Sequence, residues 1–78
     1  MSTVLEYLQK STDFLQKKGI VSPRLNAELL LADVLSCKRL ELYLMYERPL
    51  AAKEIETYRE YLVRRGKFEP LPYITGST

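Results

Sequence analysis

Charged side chains are the main groups in this chain that could take part in binding or catalysis, because it has no histidine and a single cysteine, Cys37. Without histidine, neither a Ser–His nor a Cys–His nucleophile pair can form. One cysteine without histidine is also too little for a zinc site of the usual spacing. No glycine-rich loop follows a strand pattern, so no nucleotide-phosphate site is offered. The sequence therefore predicts a chain that has no catalytic, metal-binding or cofactor-binding residues of its own.

Basic residues in and beside the third and fourth predicted helices are candidates for binding a partner. They are Lys38, Arg39, Arg48, Arg59, Arg64 and Arg65. Arg64 and Arg65 could bind an anion together, or they could lie at a solvated helix end and complement the helix dipole. The alternative of a nucleic-acid-binding bundle would use Lys38, Arg39, Arg48, Arg64, Arg65 and Lys67. The net charge of +2 argues against that class, because binding a nucleic-acid backbone needs many phosphate contacts.

Glu28 stands among the apolar residues of the second predicted helix, and a buried carboxylate needs a partner. We predict a structural ion pair with an arginine, and Arg65 is the candidate.

Three tyrosines are expected to line the core with their hydroxyls at its rim, the alternative being a stacking or protein-binding surface. These are Tyr43, Tyr46 and Tyr58.

Length and composition describe one small globular domain. The 78 residues are 46% hydrophobic and 28% charged, which suits a folded core under a polar surface. Cys37 cannot form an internal disulfide, which fits a cytoplasmic setting. We interpret it as a small hydrophobe between two helices rather than a reactive thiol. The N-terminus lacks a signal-peptide pattern, and no segment approaches the roughly 20 apolar residues of a membrane helix.

Capping signals and apolar periodicity predict the first two helices. Thr3 and Glu6 form a capping box at the start of a helix over residues 4–18, and Gly19 ends it. The second, central helix covers residues 22–36, with a serine as its N-cap and a proline at its first helical position. It is apolar around most of its circumference, which predicts neighbours on several sides.

Residues 39–46 fit two patterns. Leu40, Leu42 and Leu44 alternate as in a strand, whereas Leu40, Tyr43 and Leu44 share one face of a helix. A short helix is favoured, because leucine, glutamate and methionine favour helix and a lone strand would have no partner in this chain.

The fourth helix is expected over residues 52–65, with Gly66 as its end. Pro70 and Pro72 limit the tail to a short helical turn around residues 71–74. The predicted fold is therefore all-α, a small antiparallel bundle of four helices plus a short C-terminal helical turn.

Five segments, taken in order, resemble a known family. They are Ser22-Pro23-Arg24-Leu25-Asn26-Ala27-Glu28-Leu29-Leu30-Leu31, Arg39-Leu40-Glu41-Leu42-Tyr43-Leu44, Arg48-Pro49-Leu50, Arg64-Arg65 and Glu69-Pro70-Leu71-Pro72-Tyr73-Ile74-Thr75-Gly76. The ordered set resembles the N-terminal domain of the PrmC/HemK-type methyltransferases, the release-factor glutamine N5-methyltransferase family. Its members modify the glutamine of the Gly-Gly-Gln motif in bacterial peptide chain release factors. The resemblance covers nearly the whole chain.

The resemblance implies that residues 1–69 form a helical substrate-recognition domain and that residues 70–78 begin the linker to a catalytic domain. In the family that domain has a Rossmann-like fold, binds S-adenosylmethionine and holds the glutamine amide with an Asn-Pro-Pro-Tyr motif. Neither this motif nor a cofactor loop occurs here, so no catalytic or cofactor residue is carried over. The implied partners are a release factor as the protein substrate and the chain's own catalytic domain in cis. We expect a cytoplasmic monomer without direct nucleic-acid or membrane contact.

Four positions depart from the family pattern. Asn26 replaces the usual aspartate, and Lys38 and Ala51 stand where a Ser, Thr or Asp would cap the third and fourth helices. Pro72 replaces a small or aliphatic residue and leaves open how helical the tail is. The alternative function is an independent helical adaptor that binds some other protein.

Overall fold

A computed structural model of the chain describes residues 2–76, and this part contains helices without any strand. The helices, in chain order, are α1 (Val4–Lys17), α2 (Pro23–Val34), a 3₁₀ helix (Arg39–Met45), α3 (Ala52–Gly66) and α4 (Leu71–Thr75). The predicted all-α bundle with a short C-terminal helical turn is confirmed. The ambiguous third segment is helical, although it winds as a 3₁₀ helix rather than as an α-helix.

The first two helices begin in different ways. The Thr3 hydroxyl accepts a hydrogen bond from the Glu6 backbone N–H, and the Glu6 carboxylate accepts one from the Thr3 N–H, both at 3.3 Å. This confirms the predicted capping box. Ser22 stands at the N-cap of α2 in the left-handed region, at φ 55°, and makes no side-chain cap hydrogen bond, so its predicted capping role is wrong. The Asn26 side-chain amide instead donates to the carbonyls of Val21 and Ser22, at 3.1 and 3.0 Å.

The 3₁₀ helix and α3 begin without a capping side chain at the N-cap. The Lys38 backbone N–H donates to the Glu41 carboxylate at 2.7 Å, and the Ala51 N–H donates to the Glu54 carboxylate at 2.9 Å. Each pair completes half of a capping box and places a negative charge at the positive end of a helix. These glutamates compensate for the helix starts that look weak in the sequence.

The ends of α1 and α3 use different residues. Gly19 follows α1 at φ 81°, in the left-handed region that favours glycine, as predicted. Gly66 is still part of α3, and the left-handed residue that follows the helix is Phe68, at φ 66°. The helix therefore ends at Gly66, within one residue of the predicted end, although Gly66 is not in the left-handed region. Gly66 instead allows a close approach, since a Cβ there would lie 3.2 Å from the Phe14 ring.

The core lies between α1, α2 and α3, and α4 covers one end of it. Its buried apolar side chains are Val4, Leu8, Leu15, Ile20, Ala27, Leu30, Leu31, Ala32, Leu42, Leu50, Tyr58 and Ile74. The Tyr58 hydroxyl donates to the Ala27 carbonyl at 3.0 Å, so its polar tip is satisfied inside the core rather than at the rim. Burial raises the pKa of the Tyr58 phenol. Ile74 is 5% exposed and packs α4 against the same core.

The face of the 3₁₀ helix that packs on the core differs from the α-helical face predicted from the sequence. Leu42 is fully buried and Met45 is half-buried, because residues three apart eclipse each other in a 3₁₀ helix. The residues on its outer side are Leu40, Tyr43 and Leu44, which are 66%, 47% and 87% exposed. The prediction that Tyr43 lines the core is therefore wrong.

Candidate partner-binding surface

Glu28 is a buried carboxylate, only 3% exposed, with hydrogen bonds to both of its oxygens. Its Oε1 accepts from Arg39 Nη1 at 3.0 Å, and its Oε2 accepts from Arg24 Nε at 3.1 Å and from the Tyr43 hydroxyl at 3.3 Å. The predicted structural ion pair with an arginine is confirmed. The predicted partner is wrong, because Arg65 binds Asn26 instead.

The groups around Glu28 form a closed network, which we name the Glu28 cluster: Arg24, Glu28, Arg39, Tyr43 and Tyr46. Burial acts to raise the pKa of Glu28, but the hydrogen bonds from Arg39 and Arg24 outweigh it and lower that pKa. Arg24 Nη2 also donates to the Tyr46 hydroxyl at 3.2 Å. The rings of Tyr43 and Tyr46 meet edge to face, 5.4 Å between centroids. Arg39 therefore has a structural role.

Arg48 forms a two-pronged ion pair with Glu54. Its Nη1 and Nη2 donate to the two carboxylate oxygens at 3.1 and 3.0 Å. These hydrogen bonds, with one from the Ala51 N–H, lower the pKa of Glu54. The pair joins the segment after the 3₁₀ helix to the first turn of α3, so the charge of Arg48 is neutralised within the chain.

Arg64 and Arg65 both hold the C-terminal segment in place. Arg65 Nε donates to Asn26 Oδ1 at 2.8 Å, and its Nη1 donates to the Glu69 carbonyl at 3.1 Å. Arg64 forms an ion pair with the Glu69 carboxylate and donates to the Tyr73 carbonyl at 3.0 Å. The two arginines therefore fasten residues 69–73 to α2 and α3.

Arg59 and Lys38 differ from the other four basic candidates. Both are exposed, and neither side chain forms a hydrogen bond or ion pair within residues 2–76. Their cationic groups are therefore available to an external partner. Partner binding by any of the six stays a prediction. Arg59 lines a groove, whereas Lys38 lies on a loop.

The groove beside Arg59 lies open between α1 and α3 and has a volume of about 420 Å³. We name it the α1–α3 groove; its lining residues are Tyr7, Lys10, Ser11, Phe14, Arg59, Leu62 and Val63. The Tyr7 and Tyr58 rings lie 6.4 Å apart between centroids, and Phe14 packs on Gly66. Since both contacts advance along the two helices together, α1 and α3 run in the same direction along the groove.

Comparison with known proteins decides the family of this chain. Residues 6–76 match the model of the PrmC N-terminal domain. This chain belongs to the PrmC N-terminal domain family. The family resemblance drawn from the ordered segments is therefore confirmed.

Curated proteins similar to this PrmC N-terminal domain are methyltransferases of greater length. The release factor glutamine methyltransferase of Leptospira interrogans is 48% identical over 74 residues, which cover 95% of this chain and 26% of that protein. The corresponding protein of Chlorobaculum tepidum is 46% identical, covering 95% and 25%. The bifunctional methyltransferase of Rickettsia conorii is 38% identical, covering 95% and 14%. The chain thus spans about a quarter or less of these relatives. No solved structure matches it.

A second groove of this PrmC N-terminal domain, about 400 Å³ in volume, lies between α2, the 3₁₀ helix and α4. Its charged lining residues are already bound within the chain: Arg39 to Glu28, and Asp33 to the Tyr61 hydroxyl at 3.0 Å. Cys37 also lines it, and burial raises the pKa of that thiol, as does the nearby Glu41. This fits a cysteine that packs as a small hydrophobe.

Two classes of site have no candidate in the described part of the PrmC N-terminal domain. No group of three or more His, Cys, Asp and Glu residues within residues 2–76 is arranged to hold a metal ion. No helix in the same range has the length and apolar character needed to cross a membrane.

Sequence reasoning missed the contribution of α1 to the lining of the α1–α3 groove. Tyr7 and Phe14 lie two turns apart on the face of α1 that also carries Lys10. That spacing was a usable signal, because two aromatic residues seven apart beside a lysine mark a half-exposed face. The face of α3 that lies opposite, at Arg59 and Val63, could be assigned only once the packing of α1 against α3 was known.

Proposed function

We propose that this chain is the release-factor-docking domain of an S-adenosylmethionine-dependent protein methyltransferase. The whole protein would methylate the glutamine of the Gly-Gly-Gln motif of peptide chain release factors in the cytoplasm. The observation that carries the proposal is the match of residues 6–76 to the PrmC N-terminal domain. The names of its relatives, release factor glutamine methyltransferases at 48% and 46% identity, support the same reaction and substrate.

In this proposal the chain binds substrate and leaves the chemistry to a catalytic domain in cis. The relatives are about four times as long as the region that matches. Residues 2–76 contain no strand-to-helix turn rich in glycine, so their residue types do not fit S-adenosylmethionine. We therefore place no contact to the cofactor and no step of methyl transfer in this domain.

A separate docking domain has a physical rationale for this substrate. A single glutamine side chain offers little surface, and contacts remote from the reacting atom can supply the binding free energy that selects an intact protein. Such contacts lower KM for the whole factor. They have no effect on a peptide that carries the glutamine alone.

The proposal is tested by comparing the full-length gene product with a form that lacks residues 1–76. Methyl transfer from S-adenosylmethionine is measured on an unmethylated release factor and on a short Gly-Gly-Gln peptide. We expect the deletion to raise KM for the intact factor by about tenfold or more, about 1.4 kcal/mol of binding, and to leave the peptide reaction unchanged. Equal losses on both substrates would contradict the docking role. A full-length product that methylates neither substrate would contradict the methyltransferase assignment and favour the independent adaptor.

A further inference from the structure

We propose that the α1–α3 groove binds an acidic amphipathic helix of the protein substrate, with the apolar face of that helix in the groove and its carboxylates beside the basic rim. This inference rests on the proposed function and specifies which surface of the domain, and which chemistry of the partner, make the contact.

The floor of the groove is apolar and partly open to solvent. Tyr7 and Phe14 on α1 and Leu62 on α3 are half-buried, and Val63 is 49% exposed at the edge. Aromatic and aliphatic side chains that are already partly desolvated gain further when a partner covers them. The volume of about 420 Å³ is within the range of ligand-binding clefts and holds a few side chains.

The shape of the groove suits a helix rather than an extended strand. Its long walls are two helices that run in the same direction, from Tyr7 beside Tyr58 to Phe14 beside Gly66. Seven residues of α1 correspond to about 10.5 Å of helix. Two turns of a third helix span the same length and present apolar side chains at the spacing that fills a groove. By contrast, no sheet edge is offered within residues 2–76 to which an extended strand could add.

The rim of the groove carries positive charges that have no ion-pair partner within residues 2–76. Lys10 lies with its Nζ 5.8 Å from the Tyr7 ring centroid, Lys18 with its Nζ 5.6 Å from the Phe14 centroid, and Arg59 lines the opposite wall. No carboxylate lines the groove. A partner that is complementary in charge therefore carries Asp or Glu beside its apolar face.

Photo-crosslinking in the full-length protein tests where the partner lies. A photoreactive phenylalanine replaces Val63 at the groove, and in the matched control it replaces Leu44, an exposed aliphatic residue of the 3₁₀ helix outside the groove. The probe is an unmethylated release factor. We expect crosslinks from position 63 to a helix of the factor with acidic residues beside an apolar stripe. Crosslinks from position 44 alone, or from position 63 to a segment without carboxylates, would overturn the inference.

Methyl-transfer kinetics test the same contact without a label. The double variant Arg59→Glu with Val63→Asp should raise KM for the release factor about fivefold or more at low salt, with little change in kcat. Lys53→Glu makes the same charge reversal as Arg59→Glu, at an exposed position of α3 outside the groove, and should leave KM within about twofold. Both altered groove positions are exposed, and thermal unfolding checks that the fold is kept.

The two proposals can fail separately. A full-length protein that methylates the factor with the same KM in the double variant would overturn the groove assignment and leave the proposed function standing. A full-length protein that transfers no methyl group to the factor would overturn both.

Discussion

The basic residues of the Glu28 cluster are paired within the chain, whereas those of the α1–α3 groove are not. In the cluster, Arg24 and Arg39 donate to a carboxylate that is 3% exposed. In the groove, Lys10 and Arg59 have no ion pair within the described residues and lie beside an apolar floor. The number of basic residues therefore does not show where a partner can bind. The useful quantity is the charge that the chain has not already neutralised.

We expect the Glu28 cluster to contribute to stability and the α1–α3 groove to contribute to binding. Removing a member of the cluster leaves groups that need new partners, and the cost falls on the folded state. Removing a rim cation of the groove leaves nothing unsatisfied, because its charge is hydrated in the free domain. The predictions that follow test this division, beginning with the largest expected effect.

Glu28→Ala should lower the free energy of unfolding by about 2 kcal/mol. Removing one partner of a fully buried ion pair costs roughly 3–5 kcal/mol, and the cost is smaller here because the side chains of Arg24 and Arg39 are 40% and 36% exposed and can rehydrate. Urea unfolding followed by circular dichroism measures the change. The control, Glu56→Ala at an exposed position of α3, should stay within about 0.5 kcal/mol. Equal effects of the two substitutions would show that the cluster is not structural.

Arg65→Ala should lower the free energy of unfolding by about 1.5 kcal/mol. The substitution leaves Asn26 Oδ1 and the Glu69 carbonyl without their donor. A hydrogen bond to a charged group contributes about 1.5–3 kcal/mol, and the total loss here is at the low end because Arg65 is half-buried and water can replace part of it. Hydrogen exchange should also become faster in α4, because residues 69–73 lose one of their two arginine attachments. Lys67→Ala, an exposed position in the same turn, is the control. Unchanged exchange in α4 would contradict the fastening role of Arg65.

Acid should weaken the fold through the Glu28 cluster. The pKa of Glu28 in the folded chain lies below its ordinary value of 4.5, so its stabilising contribution is complete above that pH and is lost as the pH falls through the folded-state pKa. The difference in unfolding free energy between the parent and Glu28→Gln should therefore be constant near neutral pH and shrink below about pH 4.5. Glu54, whose pKa is also lowered, is present in both proteins and cancels. A difference that grows on acidification would reverse the assigned sign.

Most helix boundaries could be predicted from the sequence, because their signals are local. The capping box of Thr3 and Glu6, the glycine at position 19 and the proline-limited tail each depend on residues within one turn. The phase of the 3₁₀ helix could not, because burying Leu42 rather than Leu40 depends on packing against α1 and α2. The packing role of Gly66 could not be predicted for the same reason, since its close approach to Phe14 is a tertiary contact.

The candidate site was harder to predict, because ion-pair partners are chosen by the fold. Arg24 is one turn before Glu28, but arginine preceding glutamate is the less favourable order on an isolated helix, so this spacing is a weak signal for an ion pair. Arg39 reaches Glu28 only through the path of the loop after α2. Arg65 donates a hydrogen bond to Asn26, a residue that departs from the family pattern, and does not contact Glu28. A basic residue could be recognised in the sequence, but whether it was already paired could not.

Arg59→Ala is the smallest expected change in stability and gives the sharpest contrast with Arg65→Ala on the same helix. It should leave the free energy of unfolding within about 0.5 kcal/mol, since Arg59 is exposed and forms no ion pair within residues 2–76. In the full-length protein it should raise KM for the release factor at low salt and flatten the dependence of KM on salt, because rim charges act through a screened field. Arg65→Ala should do the reverse, lowering stability while leaving the salt dependence unchanged. If Arg59→Ala unfolds the domain as readily as Arg65→Ala does, the groove cation belongs to the structure rather than to the partner.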